Sequence, residues 1–149
     1  MNITLLGRSH SQAWFQANGL KIPLFTEAVS AGFPSPAQDY VEKALDLNEL
    51  CIKRPAATFF VRVEGDSMIE AGIYAGDILV VDRSVTAEHG DIVIVAIYGE
   101  MTVKELQLRP TIKLVPRNPA YPTIDIAEGT ALDIFGVVTN VVRNVRYKS

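Results

Sequence analysis

The spacing of apolar residues changes at Thr58, and this change restricts the fold more than any other feature of the sequence. Apolar residues within 41–51 follow helical spacing, whereas from Thr58 onward apolar and polar residues alternate with a period of two. Glycine-containing turns separate the alternating segments, with no helix expected between them, which is typical of an antiparallel β domain rather than of βαβ units. The predicted strands are Thr58–Glu64, Ile78–Val81, Ile92–Ile97, Glu100–Leu108, Ile112–Val115, Thr123–Ile126 and Leu132–Val142.

The residues before this β region divide into an arm and a helical segment. Residues 1–35 contain turn-prone pieces and no sustained period, so we expect an N-terminal arm, 1–35, followed by one domain, 36–149. Ser35 and Gln38 form a capping box that predicts a short helix, or a pair of helices, ending near Lys53. The predicted fold class is therefore mainly β, with a flexible arm and one or two short helices.

Composition limits the classes of function. The 149-residue chain has 14 basic and 17 acidic residues and a net charge of -3, so a basic stripe that grips nucleic-acid phosphates is not expected. The longest apolar run, Ile92–Ile97, is far shorter than the ~18 residues of a membrane span. The lone Cys51 excludes an internal disulfide framework, and His10 and His89 are too few ligands for metal catalysis. We expect a cytoplasmic protein without a cofactor, a metal or a secretory signal.

A candidate nucleophile lies in the turn Gly65-Asp66-Ser67-Met68, which follows the first predicted strand. At such a bend Ser67 can project into a cleft while neighbouring backbone N–H groups, those of Asp66 and Ser67, bind an oxyanion. Taken alone, the tetrapeptide more often means an ordinary polar turn. A Ser-His-Asp triad is not expected, because His89 falls in a surface turn and His10 in the arm.

Lys104 is the candidate base. In the predicted strand Glu100–Leu108 it shares one face with Thr102, Leu106 and Leu108. If that face is inward, burial lowers the pKa of the amine, and a neutral lysine can take the proton of a serine hydroxyl. The alternative is a strand lysine whose stem packs while its amine reaches water.

The peptide bond between Ala31 and Gly32 is the third feature. The side chains on both sides are small, so a narrow cleft could accept the bond in extended form, although alone it indicates a loop. With the serine and the lysine, it resembles the self-cleaving serine peptidases of the LexA type. Within that group the chain is most similar to the UmuD-type subunits of the error-prone DNA polymerase V. The blocks that carry this closer resemblance are Gly32–Pro36, Gly65–Ile69, His89–Ile94, Leu106–Thr111 and Asp133–Val138.

This resemblance implies a fold, a site and partners. The fold is the LexA/signal-peptidase-like β domain, Ser67 is the nucleophile, Lys104 is the general base, and Ala31-Gly32 is the cleavage site. The implied protein is a homodimer of the bacterial SOS response that cuts itself when a filament of RecA on single-stranded DNA stimulates it. In shortened form it joins the catalytic subunit of an error-prone translesion DNA polymerase. Direct sequence-specific nucleic acid binding and membrane attachment are not expected.

Other functions remain open at this stage. A signal peptidase shares the Ser/Lys chemistry but needs a membrane anchor, which is not expected here. A LexA-like repressor needs a helix-turn-helix domain before the cleavage site, and residues 1–31 are too few for one. A non-catalytic interaction module would keep Ser67 and Lys104 only as relics. The presence of both residues together with a cleavage site favours the self-cleaving peptidase.

Overall fold

The alternating segments form antiparallel strands in the computed structural model, which describes residues 2–8, 22–25 and 41–146. The prediction of a mainly β fold is confirmed. One-turn 3-10 helices lie at Pro55–Ala57 and Ile69–Ala71. In chain order the other elements are β1 (Asn2–Arg8), β2 (Ile22–Phe25), β3 (Val41–Leu45), α1 (Leu47–Cys51), β4 (Thr58–Glu64), β5 (Ile78–Asp82), β6 (Ile92–Ile97), β7 (Glu100–Gln107), β8 (Lys113–Val115), β9 (Ile124–Asp125) and β10 (Ile134–Val142).

The strands belong to two sheets. The larger is eight-stranded, in the order β1-β4-β5-β10-β6-β7-β8-β9. β1 also pairs with β7, with Asn2 opposite Thr102, so the strands from β1 to β7 in this order close into a ring from which β8 and β9 extend. The smaller sheet consists of β2 and β3.

The internal contacts of the chain define two units. One comprises Met1–His10 and Arg54–Ser149 and contains the eight-stranded sheet. The other comprises Ser11–Lys53 and contains the β2–β3 sheet and α1. The expected division into an arm over 1–35 and a domain over 36–149 stays a prediction.

The apolar side chains of the larger sheet form two cores, because successive strand residues point to opposite faces. In β6, Ile94 belongs to the first core, while Val93 and Val95 belong to the second. The buried members of the first core are Phe59, Val61, Val63, Met68, Ile73, Leu79, Val81, Ile94 and Val103. Those of the second core are Val93, Val95, Leu106, Leu114 and Val137.

The structure differs from the sequence prediction between residues 41 and 51. Helical spacing there predicted a helix, but Val41–Leu45 is strand β3, because its backbone pairs with β2. The helix is limited to Leu47–Cys51 and begins after Asp46, whose Oδ1 accepts a hydrogen bond from the backbone N–H of Asn48 at 2.8 Å. The capping box of Ser35 and Gln38 lies outside the described residues.

The described parts of the predicted arm, residues 2–8 and 22–25, are both strands. Residues 2–8 show no sustained period in the sequence, yet they form β1 and pair antiparallel with β4 along most of its length. None of the helices that the structure describes is long and apolar enough to cross a membrane.

Candidate active site

Ser67 occupies a tight bend at the end of β4. Gly65 has a φ of 87°, a left-handed conformation that favours glycine and turns the chain out of the strand. Ser67 is 0% exposed, and its Oγ has no hydrogen-bond partner among the described residues. Buried hydroxyl groups are ordinarily hydrogen-bonded, so this unpaired one marks Ser67 as a candidate functional residue.

Lys104 lies in the middle of β7, opposite Val93 of β6. The residue is 7% exposed, and its Nζ donates hydrogen bonds to Thr102 Oγ1 at 3.1 Å and to the carbonyl oxygen of Val103 at 3.2 Å. Burial lowers the pKa of the Lys104 amine below its ordinary value of 10.5. The Lys104 side chain therefore lies on a buried face of the strand, which is the first of the two interpretations that the sequence left open.

No hydrogen bond joins Ser67 to Lys104 in this structure, since the serine Oγ is unpaired and the amine donates to Thr102 and Val103. Hydrogen bonds between a nucleophile and its base are often long in a free enzyme and tighten when substrate binds.

The backbone around Ser67 offers donors for an oxyanion. Among the described residues, no hydrogen bond uses the N–H of Asp66 or that of Ser67. The carbonyl oxygen of Asp66, in contrast, accepts from the N–H of Ile69 at 3.4 Å, which helps to close the turn. The two N–H groups that the sequence suggested as oxyanion donors are therefore not engaged elsewhere in this part of the protein.

A polar segment that sequence reasoning did not single out contacts this turn. It comprises residues 116–121, directly after β8. Asn118 Nδ2 donates to the carbonyl oxygen of Asp66 at 2.9 Å, and the Tyr121 hydroxyl donates to Asp66 Oδ1 at 2.5 Å. The available signal was an asparagine directly before a proline, a pair that favours a turn with side-chain hydrogen bonds.

The same segment also contacts the strand that carries Lys104. Arg117 Nε lies 3.1 Å from Oε2 of Glu105, the residue after Lys104 on β7. The carbonyl oxygen of Arg117 accepts from the N–H of Glu70 at 2.9 Å, just beyond the serine turn. The 116–121 segment thus links the turn of Ser67 to the strand of Lys104.

His89 is not part of this site. His89 is exposed, and its Nδ1 accepts from the backbone N–H groups of Leu108 at 2.9 Å and Arg109 at 3.3 Å, so its contacts are structural. Ala31, Gly32 and His10 lie outside the described residues. Among those described, no group of three or more His, Cys, Asp or Glu residues could hold a metal ion.

Comparison with known proteins identifies the class to which this chain belongs. The sequence profile of the family described as Peptidase S24-like matches residues 23–139. The chain is therefore a member of the peptidase S24-like family, in agreement with its β fold and with the resemblance to LexA-type peptidases.

Individual proteins of similar sequence indicate which group within this family the chain resembles. The chain is 59% identical to protein SamA of Salmonella typhimurium over 124 residues, which are 83% of this chain and 86% of that protein. It is 53% identical to protein ImpA of Escherichia coli over 124 residues, 83% of this chain and 85% of ImpA. It is 49% identical to protein MucA of Escherichia coli over 120 residues, 80% of this chain and 82% of MucA. The resemblance to the UmuD-type proteins of SOS mutagenesis is confirmed.

Proposed function

We propose that this SOS mutagenesis protein cleaves its own chain between Ala31 and Gly32, with Ser67 as nucleophile and Lys104 as general base. The shortened form, Gly32–Ser149, then acts as a subunit of an error-prone translesion DNA polymerase. Membership of the peptidase S24-like family supports the hydrolytic activity. The environments of the two side chains support their roles.

The observation that carries the proposal is the state of the Lys104 amine. Lysine is almost never buried without a partner of opposite charge. Yet none of the ion pairs among the described residues includes Lys104, and its hydrogen-bond acceptors, Thr102 Oγ1 and the carbonyl oxygen of Val103, are neutral. Such surroundings stabilise the neutral amine, which is the form that can accept a proton.

The reaction transfers one proton to the lysine and back. As Ser67 Oγ bonds to the carbonyl carbon of Ala31, its proton passes to Lys104 Nζ, and the N–H groups of Asp66 and Ser67 stabilise the oxyanion. The bond between Ala31 and Gly32 then breaks, and the lysine returns the proton to the leaving amine of Gly32. Water hydrolyses the ester on Ser67 and releases residues 1–31.

The rate of this reaction depends on the fraction of Lys104 that is neutral. Because burial lowers the pKa of Lys104 below 10.5, the rate rises with pH and levels off once the pH exceeds the lowered pKa. A partner that favours the docked cleavage site raises the rate by shifting a population rather than by adding a catalytic group. The filament of RecA on single-stranded DNA is the partner that we propose for this role.

Mass spectrometry of the purified chain tests the proposal. The protein is incubated without any activator at a series of values from about pH 7 to 10, and the fragment Gly32–Ser149 is quantified. We expect the rate to rise with pH across this range, and both Ser67→Ala and Lys104→Met to abolish cleavage. A cut at Ala31 that persists in Ser67→Ala, or a rate independent of pH, contradicts the assignment.

Matched variants control for general effects of the substitutions. Lys113→Met removes a partly exposed lysine of the neighbouring strand β8, which lies 3.7 Å from the Asp125 carboxylate and is not part of the site. Ser84→Ala removes an exposed hydroxyl that is hydrogen-bonded to Asp82. Both controls should cleave at the parent rate.

The proposed partners are tested with the same proteins. Adding RecA on single-stranded DNA should accelerate cleavage at neutral pH in the parent and not in Ser67→Ala. The cleaved homodimer should bind the catalytic subunit of an error-prone polymerase and support primer extension past a damaged base. If extension proceeds equally well with the uncleaved Ser67→Ala protein, cleavage is not the step that activates the subunit.

A further inference from the structure

We propose that Asn118 is a positioning residue of the self-cleavage reaction: its side-chain amide orients the peptide unit whose N–H, that of Ser67, binds the oxyanion. Tyr121 secures the same turn through the Asp66 side chain. This inference rests on the proposed function. It assigns a role to two residues that are distant in sequence from the turn: Asn118 follows Asp66 by 52 positions, and Tyr121 follows it by 55.

The geometry of a peptide bond carries the argument. In a trans peptide the carbonyl oxygen and the N–H of the next residue point in opposite directions within one plane. Asn118 Nδ2 holds the carbonyl oxygen of Asp66 at 2.9 Å, so it also determines where the N–H of Ser67 points. An oxyanion donor contributes only when it is aimed at the charge that develops in the transition state, and it must be held there before the reaction begins.

Asn118 is itself held at both ends of its side chain. The residue is 9% exposed, and while Nδ2 donates to Asp66, its Oδ1 accepts from the N–H of Ala120 at 3.0 Å. Its carbonyl oxygen accepts from the N–H of Tyr121 at 3.1 Å. A buried side chain with its donor and its acceptor both engaged has little freedom to rotate, so it can fix the orientation of its partner.

Tyr121 adds a second tie to the same residue. Its hydroxyl donates to Asp66 Oδ1, and the hydrogen bond and the negative charge of Asp66 raise the pKa of Tyr121 above 10.0. The pKa of Lys104, in contrast, is lowered below 10.5. The raised pKa favours the protonated phenol, which is the form that donates to Asp66, and the lowered pKa favours the neutral amine, which is the form that accepts a proton.

The test compares Asn118→Asp with a control variant in which the same substitution is made at an exposed asparagine. Asn118→Asp keeps the Oδ1 acceptor for Ala120 and removes the amide that donates to Asp66. Asn144→Asp is matched, because Asn144 Oδ1 also accepts from the N–H two residues later, that of Arg146, at 3.0 Å, and Asn144 is exposed. The profile of self-cleavage rate against pH is measured for both variants and for the parent protein.

We expect Asn118→Asp to lower the plateau of the pH profile about 10- to 100-fold, the size of effect that follows from a misplaced catalytic group or a weakened oxyanion donor. Asn144→Asp should retain the parent plateau. A purely structural role for Asn118 would lower the melting temperature and leave the plateau, measured well below that temperature, at the parent value. That result overturns the inference.

Tyr121→Phe provides a second variant that conserves the shape of the ring, so the inference stays testable if Asn118→Asp does not fold. We expect its plateau to fall about 3- to 10-fold, since it loosens the turn without releasing the peptide unit directly. Tyr98→Phe is the control, because Tyr98 is 93% exposed at the tip of the β6–β7 hairpin. Equal plateaus in these two variants count against the role of Tyr121.

The outcomes separate this inference from the proposed function. If the parent protein cleaves, Ser67→Ala does not, and Asn118→Asp matches Asn144→Asp, the positioning role is wrong and the self-cleavage proposal stands. If the parent protein does not cleave between Ala31 and Gly32 at any pH, the proposed function fails and the positioning role fails with it.

Discussion

Replacing Ser67 by alanine should make the protein more stable while it removes the nucleophile. The Ser67 hydroxyl is fully buried, and among the described residues it has no hydrogen-bond partner. Folding therefore removes this hydroxyl from water without replacing the hydrogen bonds that it loses. An alanine at this position has no polar group to desolvate.

The magnitude follows from the burial of this one group. An unpaired buried polar group costs about 1–3 kcal/mol, and the small space left by the missing oxygen offsets part of the gain. We therefore expect the free energy of unfolding to rise by about 1–2 kcal/mol. For a chain of 149 residues this corresponds to an increase of about 2–8 °C in melting temperature.

Thermal unfolding followed by circular dichroism measures this increase, with the mass checked before and after each scan so that only uncleaved chains are compared. Ser84→Ala is the matched control with the opposite expected sign, because Ser84 Oγ donates to Asp82 Oδ1 at 2.6 Å and that bond is lost. A melting temperature of Ser67→Ala at or below that of the parent protein would refute the reasoning, since it would mean that the hydroxyl is stabilised in the folded state.

Two further substitutions test how the larger sheet is held together. Asp77→Asn should lower the free energy of unfolding by about 2 kcal/mol, because hydrogen bonds to a buried charge are strong, and Asp77 accepts at 2.6 Å from Arg143. Although burial raises the pKa of Asp77, the hydrogen bonds from Arg143 and Tyr74 and the charge of Arg143 hold it below 3.8. Stability contributed by such a group is present above its unfolded pKa and is lost as the pH falls through its folded pKa. Urea titrations should thus show the full deficit of Asp77→Asn near neutral pH and a shrinking deficit below pH 3.8; a deficit independent of pH contradicts this. Gly136→Ala should cost about 1–3 kcal/mol by overpacking, because its Cβ would lie 2.7 Å from Val81 Cγ1. In a double-mutant cycle this cost should shrink in the Val81→Ala background, and equal costs in both backgrounds would exclude the steric clash as the cause.

The local pattern of the sequence was sufficient to predict most of the larger sheet. Alternation with a period of two over Ile92–Ile97 and Glu100–Leu108 predicted β6 and β7 to within a residue of their observed ends. The same pattern placed Lys104 on one face with Leu106, and both are buried. These predictions succeed because side-chain alternation is a property of the strand itself and does not depend on which strand lies beside it.

Where the backbone of a segment depends on a distant partner, the sequence pattern was not sufficient. Val41–Leu45 carries helical spacing but pairs with β2, and residues 2–8 carry no period but pair with β4. In both cases the hydrogen bonds of a second strand outweigh weak local preferences, which span only about 1 kcal/mol per residue.

The residues of the candidate site divide in the same way. Ser67 in its glycine turn and Lys104 on the apolar face of a strand could be named from the sequence, because the chemistry of each depends on its immediate neighbours. The roles of Asn118 and Tyr121 could not, because each contacts Asp66 across more than 50 residues of chain. Local sequence thus determined most strands of the larger sheet and the candidate nucleophile and base. Only the tertiary structure decided which polar groups hold them, since a hydrogen bond depends on distance in space and not on separation along the chain.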